Sequence, residues 1–267
     1  MILKNLILLI LFFPAVFNCK ALSQQKIKDF YLSNYLDNGT KNWELKGEEA
    51  TLYDNYVEID DLEAKYYYKE NIVDIKADEG KLDKNKMNVD LKDNVRIRNN
   101  DGMSLFTDTL TWRRDDNHIT TKDKIILKKD SFKVEAEGLE ARTDLQKVDF
   151  KRKVEVNLPD GKAGEVVIVN CSGPLEIDYA KGIALFNNDV TVESAEGKIT
   201  SDKAIVYLDA EKKYIVKIIC EGKVKIVRDD NISFAKKATY LNMEKKVILE
   251  GKPHLIIFPK KNENIRD

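Results

Sequence analysis

The most constraining feature of this sequence is a strand-like alternation that is interrupted by polar residues and then resumes with the same parity. In "IICEGKVKIV", Ile218 and Cys220 share one face before the interruption, and Val224 and Ile226 fall on that same face after it. A two-residue hairpin would carry a turn such as Asn-Gly and would reverse the chain. A bulge in one continuing strand instead lets residues before and after it line a common interior. The pattern therefore predicts a bent strand.

The same interrupted alternation recurs along the chain. It is found again in "KMNVDLKDNVRI", "KVDFKRKVEV", "IALFNNDVTV" and "KKVILEGKPHLII". A further, weaker copy is predicted around Ile125, in the longest interval between centres. A period of roughly 30 residues is typical of stacked supersecondary units. The centres of the five clear copies are Val95, Val154, Val190, Val224 and Pro253.

Between the bends, the chain shows a second apolar alternation that ends in a polar turn, as in "AIVYLDAEKK" and "ATYLNMEKK". The first such stretch, "LSQQKIKDFYLSNYL", fits either a weak helix or a strand that contains Phe30 and Leu32. We therefore predict an all-β fold. It is an elongated open β-jelly roll of two facing antiparallel sheets of bent strands, as one roll or as two consecutive rolls.

Composition and charge argue against several classes of function. Forty-five basic and 46 acidic residues leave a net charge of -1, so no global field attracts nucleic acid. His118 and His254 lack a nearby nucleophile motif, and the sequence shows no Gly-rich phosphate loop and no metal-ligand spacing. Nothing singles out a glycosidase-like pair among the many carboxylates. We expect no enzyme activity, no catalytic residue, no cofactor and no metal.

The N-terminal segment, residues 1–19, indicates export from the cytoplasm. Lys4 precedes an apolar run over residues 6–17, which is too short for a bilayer span of about 20 residues but suits a secretory signal. Cys19 follows, with Val16 three residues before it as in lipoprotein signals, although Asn18 departs from that pattern. Lipidation of Cys19, a short uncleaved membrane anchor and ordinary cleavage remain open. All three place the body of the chain outside the cytoplasm.

The other cysteines, Cys171 and Cys220, each lie in an apolar strand-like run. Two buried free thiols and a disulfide are both compatible with the sequence, because spacing alone does not show whether their Cα atoms come within reach. Trp43 and Trp112 are interpreted as packing anchors. Arg113 and Arg114 stand beside Asp115 and Asp116 and are interpreted as an exposed salt-bridged turn rather than a phosphate site.

Several of these stretches resemble a known pair of families. The first part of the chain resembles the LptC family of lipopolysaccharide export, at residues 37–54, 77–97, 101–121 and 134–154. Residues 195–227 are similar to the LptA/OstA-like domain of the same pathway. The resemblance implies an LptC-like β-jelly roll over 28–158, continuous with an LptA/OstA-like roll over 164–258. A typical LptC ends after one roll and has a plain transmembrane helix where this chain has the segment with Cys19.

The resemblance implies a periplasmic, membrane-anchored, non-enzymatic protein of lipopolysaccharide transport and outer-membrane biogenesis. Its apolar interior would hold acyl chains of lipopolysaccharide or another acylated lipid. Its edge strands, around "FYLSNYL" and "HLIIFPKK", would pair with other jelly-roll proteins of an envelope-bridging complex. Contact with an inner-membrane ABC transporter is left open. The alternative is a structural β-repeat scaffold or surface interaction module that binds no lipid.

The apolar residues that flank the bends are the candidate lipid contacts. Burying an acyl chain gains about 0.8 kcal/mol per CH₂, so an apolar groove is enough to hold one. Periodicity does not separate such a groove from a closed core. The predicted lipid-binding residues are Val89, Leu91, Val95, Ile97, Val148, Phe150, Val154, Val156, Phe186, Val190, Val192, Ile218, Val224 and Ile226.

Overall fold

The computed structural model describes most of the chain beyond the N-terminal segment. Among the described residues, no helix is long and apolar enough to cross a membrane. Residues 1–19 and the predicted lipidation at Cys19 lie outside the described part. The described ranges are 24–68, 71–113, 115–116, 118–129, 132–142, 147–159, 166–178, 180–195, 197–208, 215–241, 243–244 and 246–258.

The chain divides into two compact units, Met1–Lys151 and Arg152–Asp267, and the division falls within strand β9. In the first unit, each strand from β1 to β7 pairs antiparallel with the next. Its strands are β1 (Gln25–Tyr35), β2 (Lys41–Leu52), β3 (Tyr56–Tyr68), β4 (Asn71–Asp83), β5 (Val89–Asn99), β6 (Ser104–Arg113), β7 (His118–Lys129), β8 (Phe132–Arg142) and the start of β9 (Lys147–Pro159).

The strands of the second unit are also paired antiparallel. Strands β12 to β15 pair in sequence, β10 pairs with β9 and β12, β11 pairs with β12, and both β16 and β17 pair with β15. Its strands are β10 (Val166–Cys171), β11 (Leu175–Asp178), β12 (Ile183–Ser194), β13 (Gly197–Leu208), β14 (Ile215–Arg228), β15 (Asn231–Leu241), β16 (Lys246–Glu250) and β17 (His254–Ile256). The predicted all-β fold of bent antiparallel strands, of the β-jelly-roll type, is confirmed.

The predicted bends are present as bulges in the ladders. The register of the ladders shifts at Asp93 and Asn94 in β5, at Asn188 and Asp189 in β12, and at Gly222 in β14. These five residues have positive φ values between 52° and 76°, the left-handed conformation that Asn, Asp and Gly adopt at low cost. A bulge inserts residues into one strand only, which bends that strand and leaves its partner continuous.

The weaker copy around Ile125 is confirmed as well. The register shifts between Thr121 and Lys124 in β7, and Ile125 beyond the shift is 0% exposed. The bend predicted within β9 coincides with Lys153, which has a φ of 48°. The copy centred on Pro253 is the gap between β16 and β17, where Gly251 has a φ of 84°.

Parity across the bends is preserved in the structure. Leu91 and Val95 are buried on either side of the bulge in β5, and Cys220 and Val224 are buried on either side of the bulge in β14. Both arms of a bent strand therefore present apolar side chains to one interior. Fully burying a side chain such as Val or Leu stabilises the fold by about 1.5–3 kcal/mol, so this shared interior is the main source of cohesion.

The first stretch, for which a weak helix and a strand were both open, forms strand β1. It pairs with β2 from Gln25 opposite Leu52 to Tyr35 opposite Lys41. Phe30 packs against the core of the first unit, whereas Leu32 is 38% exposed. Pairing with β2 satisfies the backbone groups of β1 that face β2, whereas a helix as short as this segment is only marginally stable in water by itself.

Candidate functional site

The apolar interior is sealed next to the bends. Val95, Val154, Val190 and Val224 each lie just beyond a bend and are each 1% exposed. They are covered by side chains of the protein itself. The predicted lipid-binding residues that are buried in this way are Leu91, Val95, Val148, Phe150, Val154, Val156, Phe186, Val190 and Val224.

The interior is less covered farther from some bends. In β5, Val89 lies two residues before Leu91, and Ile97 lies two residues after Val95. Val89 and Ile97 are both partly exposed. They pack against the core of the first unit together with Leu82 and Leu105 on the neighbouring strands. We call the partly exposed interior residues of the predicted set the rim. The rim consists of Val89, Ile97, Val192, Ile218 and Ile226.

Three of the rim residues lie opposite other partly exposed apolar residues in the ladders. Val192 in β12 lies opposite Ile199 in β13, and Ile199 lies opposite Ile226 in β14. In the first unit, Ile97 lies opposite Leu105 in β6. Val192, Ile199 and Ile226 therefore form one partly exposed apolar row, and Ile97 and Leu105 form another. Val89 and Ile218 lie at the opposite ends of β5 and β14, eight residues from Ile97 and Ile226, with the sealed residues between them.

Small hydroxyl side chains line the interior at the bends. Thr107 Oγ1 donates to the Thr109 carbonyl oxygen at 3.2 Å and lies 3.3 Å from Thr121 Oγ1. In the second unit, Ser201 Oγ donates to the Lys203 carbonyl oxygen at 3.0 Å. All three residues are buried. Their hydroxyls bond groups at the register shifts, a role that the sequence did not indicate because Thr107 and Ser201 lie on the strands paired with the interrupted ones.

Both tryptophans are buried in the core of the first unit, as the packing-anchor interpretation predicted. Trp43 in β2 is 6% exposed and Trp112 in β6 is 5% exposed. Among the described residues, neither indole Nε1 has a hydrogen-bond partner. The sequence does not predict this, because a missing acceptor depends on which groups surround the ring.

Strands β1, β16 and β17 form the edges of the described ladders. In the described part of the chain β1 pairs with β2 alone, and β16 and β17 pair with β15 alone. Large apolar side chains are exposed on both edges. They are Ile27, Tyr31, Leu32 and Tyr35 on β1, and Val247, Ile248, Leu255 and Ile256 on β16 and β17. An edge strand with uncovered backbone and apolar side chains is a template for pairing with another strand.

Lysine-carboxylate networks occupy the outward faces. Glu63 accepts from Lys46 at 2.7 Å and from Lys76 at 2.5 Å, and these ammonium groups hold its pKa below the usual range. Glu135 pairs with Lys124 at 2.6 Å and with Lys133, which lowers its pKa to about 2. Both carboxylates belong to cross-strand ion pairs, which favours a structural role over a catalytic one.

The other residues noted in the sequence are distributed over the surface. His118 is partly buried beside Asp116 and Glu140, and His254 stacks on Phe234 with ring centroids 4.9 Å apart. Arg113 is exposed at the end of β6. Arg114 and Pro259 lie outside the described residues.

Cys171 and Cys220 are free and buried. Strands β12 and β13 stand between β10 and β14 in the ladder, and no disulfide joins the two thiols. Burial raises the pKa of both thiols, which keeps them in the unreactive protonated form.

Bent antiparallel strands around a shared apolar interior define a protein of the β-jelly-roll class. Comparison with protein-family models matches residues 20–158 to the family described as lipopolysaccharide-assembly, LptC-related. Residues 172–266 match the family described as LptA/(LptD N-terminal domain) LPS transport protein. No curated protein matches the chain.

The first match covers more than half of the sequence, so the chain belongs to the LptC-related lipopolysaccharide-assembly family. The second match confirms the predicted continuation into an LptA-like region. Both families belong to lipopolysaccharide transport across the periplasm.

Proposed function

We propose that this protein carries acyl chains of lipopolysaccharide in the apolar interior of its jelly rolls and performs no enzymatic reaction. The acyl chains enter along the rim and displace side chains packed between the arms of the bent strands. The observation that carries the proposal is that the interior is partly exposed at both ends of the bent strands, at Val89 and Ile97 in the first unit and at Ile218 and Ile226, with Val192, in the second.

The energetics of hydrocarbon burial support this proposal. A chain of roughly a dozen carbons gains on the order of 10 kcal/mol at about 0.8 kcal/mol per CH₂. Part of that gain is offset by the cost of separating side chains that already touch. Val95, Val190 and Phe186, which lie next to the bends, are only 1% to 3% exposed. Partial offset suits a carrier, which must release its cargo, better than it suits a storage site.

The edges support a second element of the proposal. We propose that β1 and the β16–β17 edge pair with strands of other jelly-roll proteins in an envelope-bridging complex. Their exposed backbone supplies the hydrogen bonds of strand addition, and side chains such as Tyr31 and Leu255, at 55% and 56% exposed, supply apolar contact. Anchoring through residues 1–19 keeps the chain at a membrane, and we further propose contact with an inner-membrane ABC transporter.

Site-specific photo-crosslinking tests the interior. A benzoylphenylalanine placed at Ile97 is expected to label lipopolysaccharide in cells that make it. The matched control is Arg96, the preceding residue of β5, which is exposed on the opposite face. A second pair is Ile226 with its neighbour Lys225 in β14. Equal labelling at Ile97 and Arg96 would contradict an interior route for the acyl chains.

The same crosslinker tests the edges. Placed at Tyr31 or Leu255, it is expected to join the protein to another jelly-roll protein of the lipopolysaccharide pathway, identified by mass spectrometry of the product. Placed at Lys76, on the outward face of the interior strand β4, it is expected to give no such product. Edge pairing is wrong if Tyr31 and Leu255 give the same products as Lys76.

A structural scaffold that binds no lipid is the second candidate function. The complete burial of Ile125 and Val134, both 0% exposed, favours it because a filled interior needs no ligand for stability. Native mass spectrometry of the protein from a lipopolysaccharide-producing membrane separates the two. Co-purified lipopolysaccharide supports transport, whereas a lipid-free protein that also gives no crosslink at Ile97 or Ile226 supports the scaffold.

A further inference from the structure

The two tryptophans place unpaired hydrogen-bond donors inside an otherwise apolar interior. Each indole Nε1 is buried, and neither has an acceptor among the described residues. A buried tryptophan normally finds a partner for its N–H, because an unpaired polar group in an apolar environment costs free energy. The sequence contains two tryptophans, so both of them share this condition.

Both indoles lie next to uncovered parts of the interior. Trp112 in β6 is directly opposite the rim residue Val89 in the ladder with β5. Trp43 in β2 is directly opposite Asn34 of the edge strand β1, two residues from Leu32, which is 38% exposed. Each tryptophan is therefore positioned where an acyl chain that enters the interior would pass first.

Nearby protein groups do not supply the missing acceptors. The Asn34 Oδ1 atom, across the ladder from Trp43, accepts instead from Asn42 Nδ2 at 3.2 Å. The buried hydroxyls of Thr107 and Thr121 are bonded to one another. Trp112 is five residues from Thr107 along β6, about 16 Å at ~3.3 Å per residue.

We propose that Trp43 and Trp112 donate hydrogen bonds to oxygen atoms on the acyl chains of the bound lipid. The suitable acceptors are carbonyl oxygens of ester or amide links and hydroxyl groups close to those links. This inference rests on the proposed function and adds a selectivity to it. The oxygen-bearing head-proximal part of each acyl chain stays at the tryptophans, and the plain hydrocarbon lies toward the bends.

A site that holds an unpaired donor discriminates against ligands that leave the donor unpaired. One neutral hydrogen bond corresponds to about a 3- to 10-fold difference in affinity. The protein is therefore expected to bind a 3-hydroxyacyl lipid more tightly than a hydrocarbon of the same length, by about that factor for each engaged tryptophan.

Nuclear magnetic resonance of the ¹⁵N-labelled full-length chain tests the hydrogen bonds directly. Two indole N–H signals are expected. A glucosamine lipid with 3-hydroxytetradecanoyl chains is expected to move both signals downfield and to slow their exchange with water. Tetradecane is expected to shift the methyl signals of Val89 and Ile97 without moving the indole signals downfield. Indole signals at hydrogen-bonded positions before lipid is added would overturn the inference.

Isosteric replacement tests the selectivity. Substituting Trp112 or Trp43 with benzothienylalanine keeps the ring size and removes the N–H donor. Affinity for the 3-hydroxytetradecanoyl lipid is expected to fall about 3- to 10-fold for each replacement, with tetradecane binding unchanged. The control I119V loosens the packing beside Trp112 without removing a donor, and it is expected to affect both probes equally.

The outcomes separate this inference from the proposed function. Suppose that the wild-type protein binds both probes and that the benzothienylalanine variants keep the wild-type ratio of affinities. The tryptophans then do not bind acyl oxygens, and the proposed carriage of lipid is unaffected. If the wild-type chain binds neither probe, the proposed function itself fails, and the inference fails with it.

Discussion

The two units use the same bent strands but fill their interiors differently. The first unit buries large aromatic side chains, including Trp43, Tyr66 and Trp112. The second unit buries smaller ones on its later strands, including Ala204 and Cys220. Equal strand geometry therefore does not produce equal interiors. The sealed positions are nevertheless equivalent, Leu91 and Val95 beside the bend in β5 and Cys220 and Val224 beside the bend in β14.

The bends differ in the residues that hold their left-handed positions. The bend in β5 of the first unit is held by Asp93 and Asn94, and Asp61 in β3 has the same conformation. On the last strands of the second unit they are held by glycine followed by lysine, as at Gly222 and Gly251. Asp and Asn tolerate this conformation through local hydrogen bonds, whereas Gly tolerates it because it has no Cβ.

Truncating an interior isoleucine in each unit should give the largest contrast. Ile125→Ala in the first unit is expected to cost about 2–5 kcal/mol, because it leaves a cavity at a residue that is 0% exposed. Ile226→Ala in the second unit is expected to cost about 1 kcal/mol, because its side chain is partly exposed. Urea unfolding measures both free energies.

Two natural probes separate the units in this experiment. Both tryptophans lie in the first unit, so their fluorescence reports its unfolding. Cys171 and Cys220 are buried in the second unit, so thiol labelling in a Cys19→Ser background reports its opening. Similar costs for the two substitutions would show that the second interior is as tightly sealed as the first.

Substituting a glycine at a positive φ in each unit should have an intermediate effect. Gly39→Ala is expected to destabilise the protein by about 1–2 kcal/mol and Gly222→Ala by more than that, because both have positive φ values, 78° and 76°, and only Gly222 is crowded. An added Cβ at Gly222 also meets the Asp202 side chain at 2.4 Å, whereas nothing lies within 4 Å of one at Gly39. Thermal unfolding followed by circular dichroism measures both.

The Gly39 variant serves as the control for crowding. Rotating the exposed Asp202 side chain relieves the contact with its carboxylate but not the contact with its Cβ at 2.9 Å, so Gly222→Ala is expected to cost more than Gly39→Ala. Equal costs would show that the bend in β14 needs glycine for its backbone conformation alone.

Acid should weaken the first unit through its depressed carboxylates. The pKa of Glu135 is lowered to about 2 by Lys124 and Lys133. A carboxylate with a lower pKa in the folded state contributes stability above its unfolded pKa of about 4.3, and this contribution is lost as the pH falls toward 2. Glu135→Gln is expected to cost at most about 1 kcal/mol at pH 7, since the pair lies at the surface.

The measurement is the free energy of unfolding of the first unit at pH 7 and pH 3, by tryptophan fluorescence. The difference between the two pH values should be smaller in Glu135→Gln than in the wild type. Glu250→Gln, which removes a pair with Lys237 at 3.5 Å in the second unit, is the control and should leave this difference unchanged. An unchanged difference in Glu135→Gln would contradict the assigned ion-pair contribution.

Much of the fold was predictable because it depends on local periodicity. The bends at Asp93, Asn188 and Gly222 were readable from an alternation that keeps its parity across polar residues. The helix or strand alternative at "LSQQKIKDFYLSNYL" was not, because only pairing with β2 distinguishes them. The predicted lipid-binding residues all face the interior, but whether lipid replaces their present contacts stays a prediction.

The sequence by itself determined the pattern of bent strands, the inward face of each strand and the family, since these depend on the order of apolar and polar side chains. Only the tertiary structure decided which inward residues are sealed and which form the rim, that Cys171 and Cys220 stay apart, and that both indole N–H groups lack an acceptor. These properties depend on neighbours that are distant in the chain and are brought together only by the pairing of the strands.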